Sequence, residues 1–122
     1  MFQISNDKLL CLESLVIFFK ALFRIHIIGY MHEQSRSDRD RYVRINSENI
    51  ENNAKGNFQK CRRCNNQRLP YDTESVMHYG SYAFSKNGKP TITVKDGSSI
   101  GQRNGFSSLD LEGINQMYCS NK

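Results

Sequence analysis

The residues of this chain best suited to chemistry are two histidines six positions apart with a glycine midway, His26-Ile-Ile-Gly29-Tyr-Met-His32-Glu33. Imidazole is a common metal ligand. A glycine accepts the positive φ needed for a chain to double back, so this spacing can turn both rings toward one ion. A third histidine four residues before His26 would sit about 40° from it around a helix of 3.6 residues per turn and face the same ion. A glutamate next to that histidine would be placed to act as a base. The chain instead carries Leu22 and Phe23 at those positions. Leu22 cannot bind a metal and Phe23 cannot accept a proton, so neither adds to the two histidines.

Other chemically capable groups are Met77-His78-Tyr79 and four cysteines, Cys11, Cys61, Cys64 and Cys119. His78, between two large neighbours, reads as a structural histidine rather than a ligand. Four cysteines allow three pairings, and the sequence does not choose among them. Cys61-Arg-Arg-Cys64 is a lone C-x-x-C: a zinc ribbon needs a second such pair, and a thioredoxin-like site needs a helix start. It sits in polar loop sequence, which suits a surface disulfide in a secreted protein and two free thiols otherwise. Cys11 could bridge Cys119 only if their Cα atoms approach within about 7 Å.

The elements that must position these groups fall into two unlike parts. Over residues 1–28, Leu9, Leu12, Leu15, Val16, Phe19, Leu22, Phe23 and Ile27 recur at three- and four-residue steps, an amphipathic helix. Glu13, Lys20 and Arg24 break it too often for a membrane span, and it makes an unconvincing signal peptide, with Asp7 and Glu13 intruding and no small-residue cleavage site. Two readings stand: a core or tethering helix, or a stretch that is not native coding sequence. From 29 onward the pattern is mixed. Met31 to Arg41 is polar and irregular, Tyr42-Val-Arg-Ile45 alternates like a short strand, and a short helix near 47–55 stops at Gly56. Residues 59–71 read as loop. Ser81–Phe84 and Pro90–Val94 frame Asn87-Gly88, a hairpin signal near 81–94. Ser107 followed by Asp110 announces a long C-terminal helix bearing Leu111, Ile114, Met117 and Tyr118 inward.

The chain has 122 residues and a net charge of +5, from 17 Lys and Arg against 12 Asp and Glu. One small domain at most fits this length. Its dense basic run, Arg36 to Arg44, is interleaved with Asp38 and Asp40, which would repel phosphate; a solvated, self-paired loop is expected there and a nucleic-acid partner is not.

Taken in order, the blocks Gly29-Tyr-Met-His-Glu-Gln-Ser-Arg-Ser-Asp-Arg-Asp-Arg-Tyr42, Asn49-Ile50, Asn57-Phe58, Pro70-Tyr-Asp72, Ser75-Val-Met-His-Tyr-Gly80, Ala83-Phe-Ser85, Ile100-Gly-Gln-Arg103 and Asp110 to Cys119 resemble the astacin family of zinc metalloendopeptidases, a branch of the metzincins. The resemblance covers residues 29–119, and H-x-x-G-x-x-H is the back half of the family's extended zinc motif. It implies an α+β fold, the C-terminal part of a metzincin-like protease domain, joined to the atypical segment 1–28. It implies one zinc ion, with His26 as second and His32 as third ligand, and Gly29 turning the chain beneath the metal. Met77 would be the Met-turn floor and Tyr79 a zinc-proximal stabiliser of the oxyanion. Glu33 would be linked through water to the mature N-terminal amine, and Cys119 would bridge to the N-terminal half. Extracellular location and a polypeptide substrate or peptide ligand follow by the same resemblance.

The departures are as specific. The first ligand and the general base are absent, Leu22 and Phe23 standing in their places, and the N-terminal sheet of the family has no counterpart. The expectation is therefore a metalloendopeptidase fragment with weak zinc binding and no measurable peptidase activity. The alternative is a secreted non-catalytic pseudoprotease that binds peptide or a protein partner.

Overall fold

A computed structural model describes residues 31–64 and 68–119. The amphipathic segment expected over 1–28, with Leu22, Phe23 and His26, lies outside the described residues, as does Gly29.

Strands β1 (Val43–Ile45) and β2 (Ile92–Val94) pair antiparallel, with Val43 opposite Val94 and Ile45 opposite Ile92. The two-residue side-chain period turns Val43, Ile92 and Val94 inward and leaves Arg44 and Thr93 on the outer face. Val43, Ile92 and Val94 pack with Ile50, Ala54, Phe58 and Tyr71 in the main core, with Ile45, Tyr79 and Ile100 at its edge. A smaller cluster joins Val76 and Met77 to Phe106.

The expected hairpin near 81–94 does not form. The Asn87-Gly88 turn is present, with Gly88 at φ +73°, but the flanking segments do not pair as strands. Ser81 spends its carbonyl on the amides of both Thr91 and Ile92, and Phe84 adopts φ +53°. That breaks any extended run, and β2 takes β1 as its partner instead. The expected helix near 47–55 is also different. It is two 3-10 helices, Ser47–Asn49 and Asn52–Phe58, the second running through Gly56. They are parted at Ile50, which is extended, 1% exposed and bridged to Ser85. Burial of that isoleucine outweighs helical continuity.

The polar stretch 31–41 contains two short 3-10 helices, Glu33–Ser35 and Arg39–Arg41. It is self-paired as expected but only partly solvated: Asp40 and Arg41 are exposed, whereas Arg36 and Arg39 are each 8% exposed. Arg36 donates to Glu33, Asp38 and the carbonyls of Leu69 and Pro70. Arg39 donates to the carbonyls of Gln34 and Phe58.

The C-terminal helix α1 (Ser108–Tyr118) follows the sequence closely. Ser107 caps it, accepting from the Asp110 amide at 2.9 Å, while Asp110 accepts from the Ser107 amide at 3.1 Å, a reciprocal capping box. Ile114 is buried, and Leu111 and Met117 are half-buried.

Candidate active site

The site grows from the contact between the chain after His32 and the turn at Met77. Nδ1 of His32 lies 2.9 Å from the Met77 carbonyl, and the Glu33 amide donates to the same carbonyl at 3.2 Å. A carbonyl only accepts, so Nδ1 carries the proton and Nε2 is the lone-pair nitrogen, an arrangement that orients ligating histidines. One residue on, the Tyr79 amide donates to the side-chain oxygen of Gln34 at 3.2 Å. Three bonds thus fix residues 32–34 in register against 77–79.

That register sets the imidazole of His32 beside the phenol ring of Tyr79, with centroids 4.5 Å apart and planes tilted by 60°. Phe58 meets Tyr79 edge-on at 5.7 Å, and Phe84 lies at 5.6 Å, giving the ring an aromatic cradle. Partial burial raises the Tyr79 pKa, which keeps the phenol protonated and able to donate. Met77, 1% exposed, packs with Val76 and Phe106.

The Met77 turn is held from behind by Asp110. Ser75 Oγ donates to Asp110 at 2.6 Å and the Val76 amide at 3.0 Å, while the Met77 amide donates to Ser75 Oγ at 3.0 Å. The residue that caps α1 therefore also fastens the floor of the site. Sequence reading identified Asp110 only as a capping partner, since its second role depends on a contact across 34 positions.

His78 is structural, as expected. It is fully buried, its Nδ1 donates to the Tyr79 carbonyl at 2.7 Å, and its Nε2 accepts from the Tyr71 hydroxyl at 2.8 Å. Burial lowers its pKa, favouring the neutral ring that this pattern requires. Glu33 is 6% exposed and accepts from Arg36 and from the Asp72 amide, each at 2.8 Å. Burial outweighs these donors and lifts its pKa to about 7. Gln34, fully buried, was missed by sequence reasoning. Polar residues carry no sign of burial in a linear pattern, and its role appears only when Tyr79 is placed against it.

Of the expected metal set, the described residues supply one imidazole, His32, with Tyr79 at its side. Among them no three His, Cys, Asp or Glu side chains gather in a way that could hold a metal ion. The tautomer and setting of His32 fit one ligand position, but the described residues do not make a zinc site by themselves. Cys61 and Cys64 form a disulfide with Cα atoms 5.5 Å apart. Cys119 is also disulfide-bonded.

This pairing of a histidine segment with the Met77 turn and Tyr79 sits in a small α+β fold, and comparison with known proteins gives its family. Residues 11–119 match the peptidase family described as Astacin, a match that begins upstream of the boundary expected at 29. The chain is 44% identical over 111 residues to zinc metalloproteinase nas-15 of Caenorhabditis elegans, covering 88% of this chain and 19% of that protein. It is 52% identical over 99 residues to the astacin-like metalloendopeptidase of Gallus gallus, covering 78% and 24%. High choriolytic enzyme 1, a hatching enzyme zinc-protease of Oryzias latipes, has a solved structure that superposes with a TM-score of 0.70. Identity there is 49%, over 74% of this chain and 46% of that one. The chain belongs to the astacin family. It spans only 19% and 24% of the length of these two curated relatives.

Proposed function

We propose that this chain is the C-terminal portion of an astacin-type zinc metalloendopeptidase domain, carried by residues 29–119 and secreted. Bound zinc in such a domain polarises a peptide carbonyl and an attacking water for hydrolysis. His32 would hold the metal through Nε2, its Nδ1 being engaged by the Met77 carbonyl. Tyr79 stands ready to donate its phenolic proton to the oxyanion that forms on the carbonyl. Met77 is the packed floor, and by family resemblance His26 would be a further ligand with Gly29 as the turn between the two histidines. The observation that carries this reading is the 4.5 Å contact of the His32 and Tyr79 rings, with the His32 proton fixed on Nδ1 by Met77. The Cys61–Cys64 disulfide supports an oxidising, extracellular setting.

Leu22 and Phe23 occupy the places of the first zinc histidine and the general base, so the chain as written binds zinc weakly and cleaves no peptide. Titration calorimetry with zinc tests this. The double change Leu22→His with Phe23→Glu should strengthen binding, and adding His32→Ala should abolish the gain. Chelator-sensitive cleavage of casein by the unaltered chain would overturn the assignment of inactivity.

A second reading, a non-catalytic peptide-binding pseudoprotease, draws on Tyr82 and Phe84, which are 63% and 42% exposed. Saturable binding of casein peptides without cleavage, lost in Phe84→Ala, would favour it.

A further inference from the structure

The charge of this chain is unevenly placed. Between residues 52 and 71 lie Lys55, Lys60, Arg62, Arg63 and Arg68 and not one carboxylate. The other twelve cations are matched in number by the chain's twelve Asp and Glu, so this segment accounts for the whole net charge of +5. All five side chains are exposed.

The arginines around the core and the Met77 turn are committed to partners within the chain. Arg36 and Arg39 are consumed by carboxylates and carbonyls, and Arg103 donates to the carbonyls of Val76 and His78. Lys60 reaches Asp40 at 2.6 Å. Arg62, Arg63 and Arg68 make no ion pair or side-chain hydrogen bond among the described residues. Arg62 and Arg63 also sit at the tip of a ring closed by the Cys61–Cys64 disulfide. The Cys61 amide ties that ring to the Ser35 carbonyl at 2.7 Å. Adjacent like charges repel, and the crosslink holds this pair on display, which lowers the ordering cost of binding an anion.

We propose that this disulfide-clamped loop is a docking surface for a sulfated polysaccharide. Guanidinium groups bind planar oxyanion faces through paired hydrogen bonds, and a linear polyanion suits a segment with no carboxylate of its own. Sulfated glycan fits better than nucleic acid on two grounds. The disulfide belongs to oxidising compartments, and the segment's aromatic rings, Phe58 and Tyr71, are 4% and 8% exposed and so offer no platform for stacking bases.

The test is titration of the full chain with a heparin-derived octasaccharide at several salt concentrations. Binding should be measurable at low ionic strength and weaken steeply as salt rises, by release of counterions. Arg62→Ala with Arg63→Ala should lower affinity about tenfold or more and flatten the salt dependence. Lys86→Ala with Lys89→Ala, an equal charge change at another exposed loop, should cost no more than about threefold by general screening alone. No binding at low salt, or equal losses in the two double variants, would overturn the proposal. So would single-stranded DNA of matched charge that binds as tightly as the glycan. None of these outcomes depends on zinc or on peptidase activity.

Discussion

Arg36 joins two carboxylates that behave in opposite ways, and the difference is solvent. Its guanidinium also lies 5.3 Å from the Tyr71 ring centroid. Glu33 is deeply buried, so its pKa is held up at about 7 despite the guanidinium. Asp38, whose side chain is 27% exposed, is pulled below its usual value by the hydrogen bond from Arg36 at 2.9 Å. A depressed folded pKa stabilises the fold above the unfolded value of about 3.9, and that contribution is lost as pH falls through the folded value. Asp38→Asn should therefore cost about 1–3 kcal/mol at neutral pH, the range for hydrogen bonds to charged groups. The deficit should shrink toward zero below about pH 3, where the native aspartate is also protonated. Urea unfolding of both proteins at the two pH values checks this, and a deficit that stays constant with pH would contradict it.

Element by element, α1 and the Met77 turn are fastened through a single carboxylate. Ser107→Ala removes the helix cap and the hydroxyl's bond to the Asp72 carboxylate, and should cost about 1–2 kcal/mol. Asp110→Ala also strips partners from Ser75 and the Val76 amide, both buried, and should cost roughly 3 kcal/mol or more. Equal losses in denaturant midpoint would mean that Asp110 acts as a cap alone. The turn that follows Tyr79 makes a second demand. Gly101 has φ +87°, and a Cβ there would meet Gly80 Cα at 2.3 Å. Gly88 has φ +73° but open space around it. Alanine at 88 should cost only the left-handed strain, about 1–2 kcal/mol. At 101 it must also push two backbone segments apart, and Gly101→Ala should unfold at clearly lower urea than Gly88→Ala.

At the scale of the molecule, the described residues form a modest core with little regular structure around it. Two three-residue strands and one helix of 11 residues frame a main cluster of seven buried residues and a satellite of two among the described residues. Met31, Tyr82 and Phe84 stay exposed. The chain covers 46% of the hatching-enzyme structure it superposes on. A core of this size predicts a broad, weakly cooperative thermal transition by calorimetry. A sharp transition with equal calorimetric and van't Hoff enthalpies would show that the core suffices for two-state folding.

The sequence by itself determined the family, a short strand within 42–45 and the capped terminal helix. These are written locally: a motif is a spacing, a strand is an alternation, and a capping box spans only three residues. It placed His78 as structural because a histidine between two large neighbours tends to be packed. What it could not determine was decided by partners far along the chain. Strand 92–94 pairs with 43–45 rather than with its neighbour, because Phe84 turns left-handed and Ser81 spends its carbonyl on the Thr91 and Ile92 amides. Arg36 and Arg39 are buried because carbonyls from 58, 69 and 70 arrive to meet them. His32 stands out from sequence alone by its spacing from His26 and Gly29. That its proton sits on Nδ1 and its ring lies against Tyr79 is a property of the fold, since both depend on a carbonyl 45 positions away.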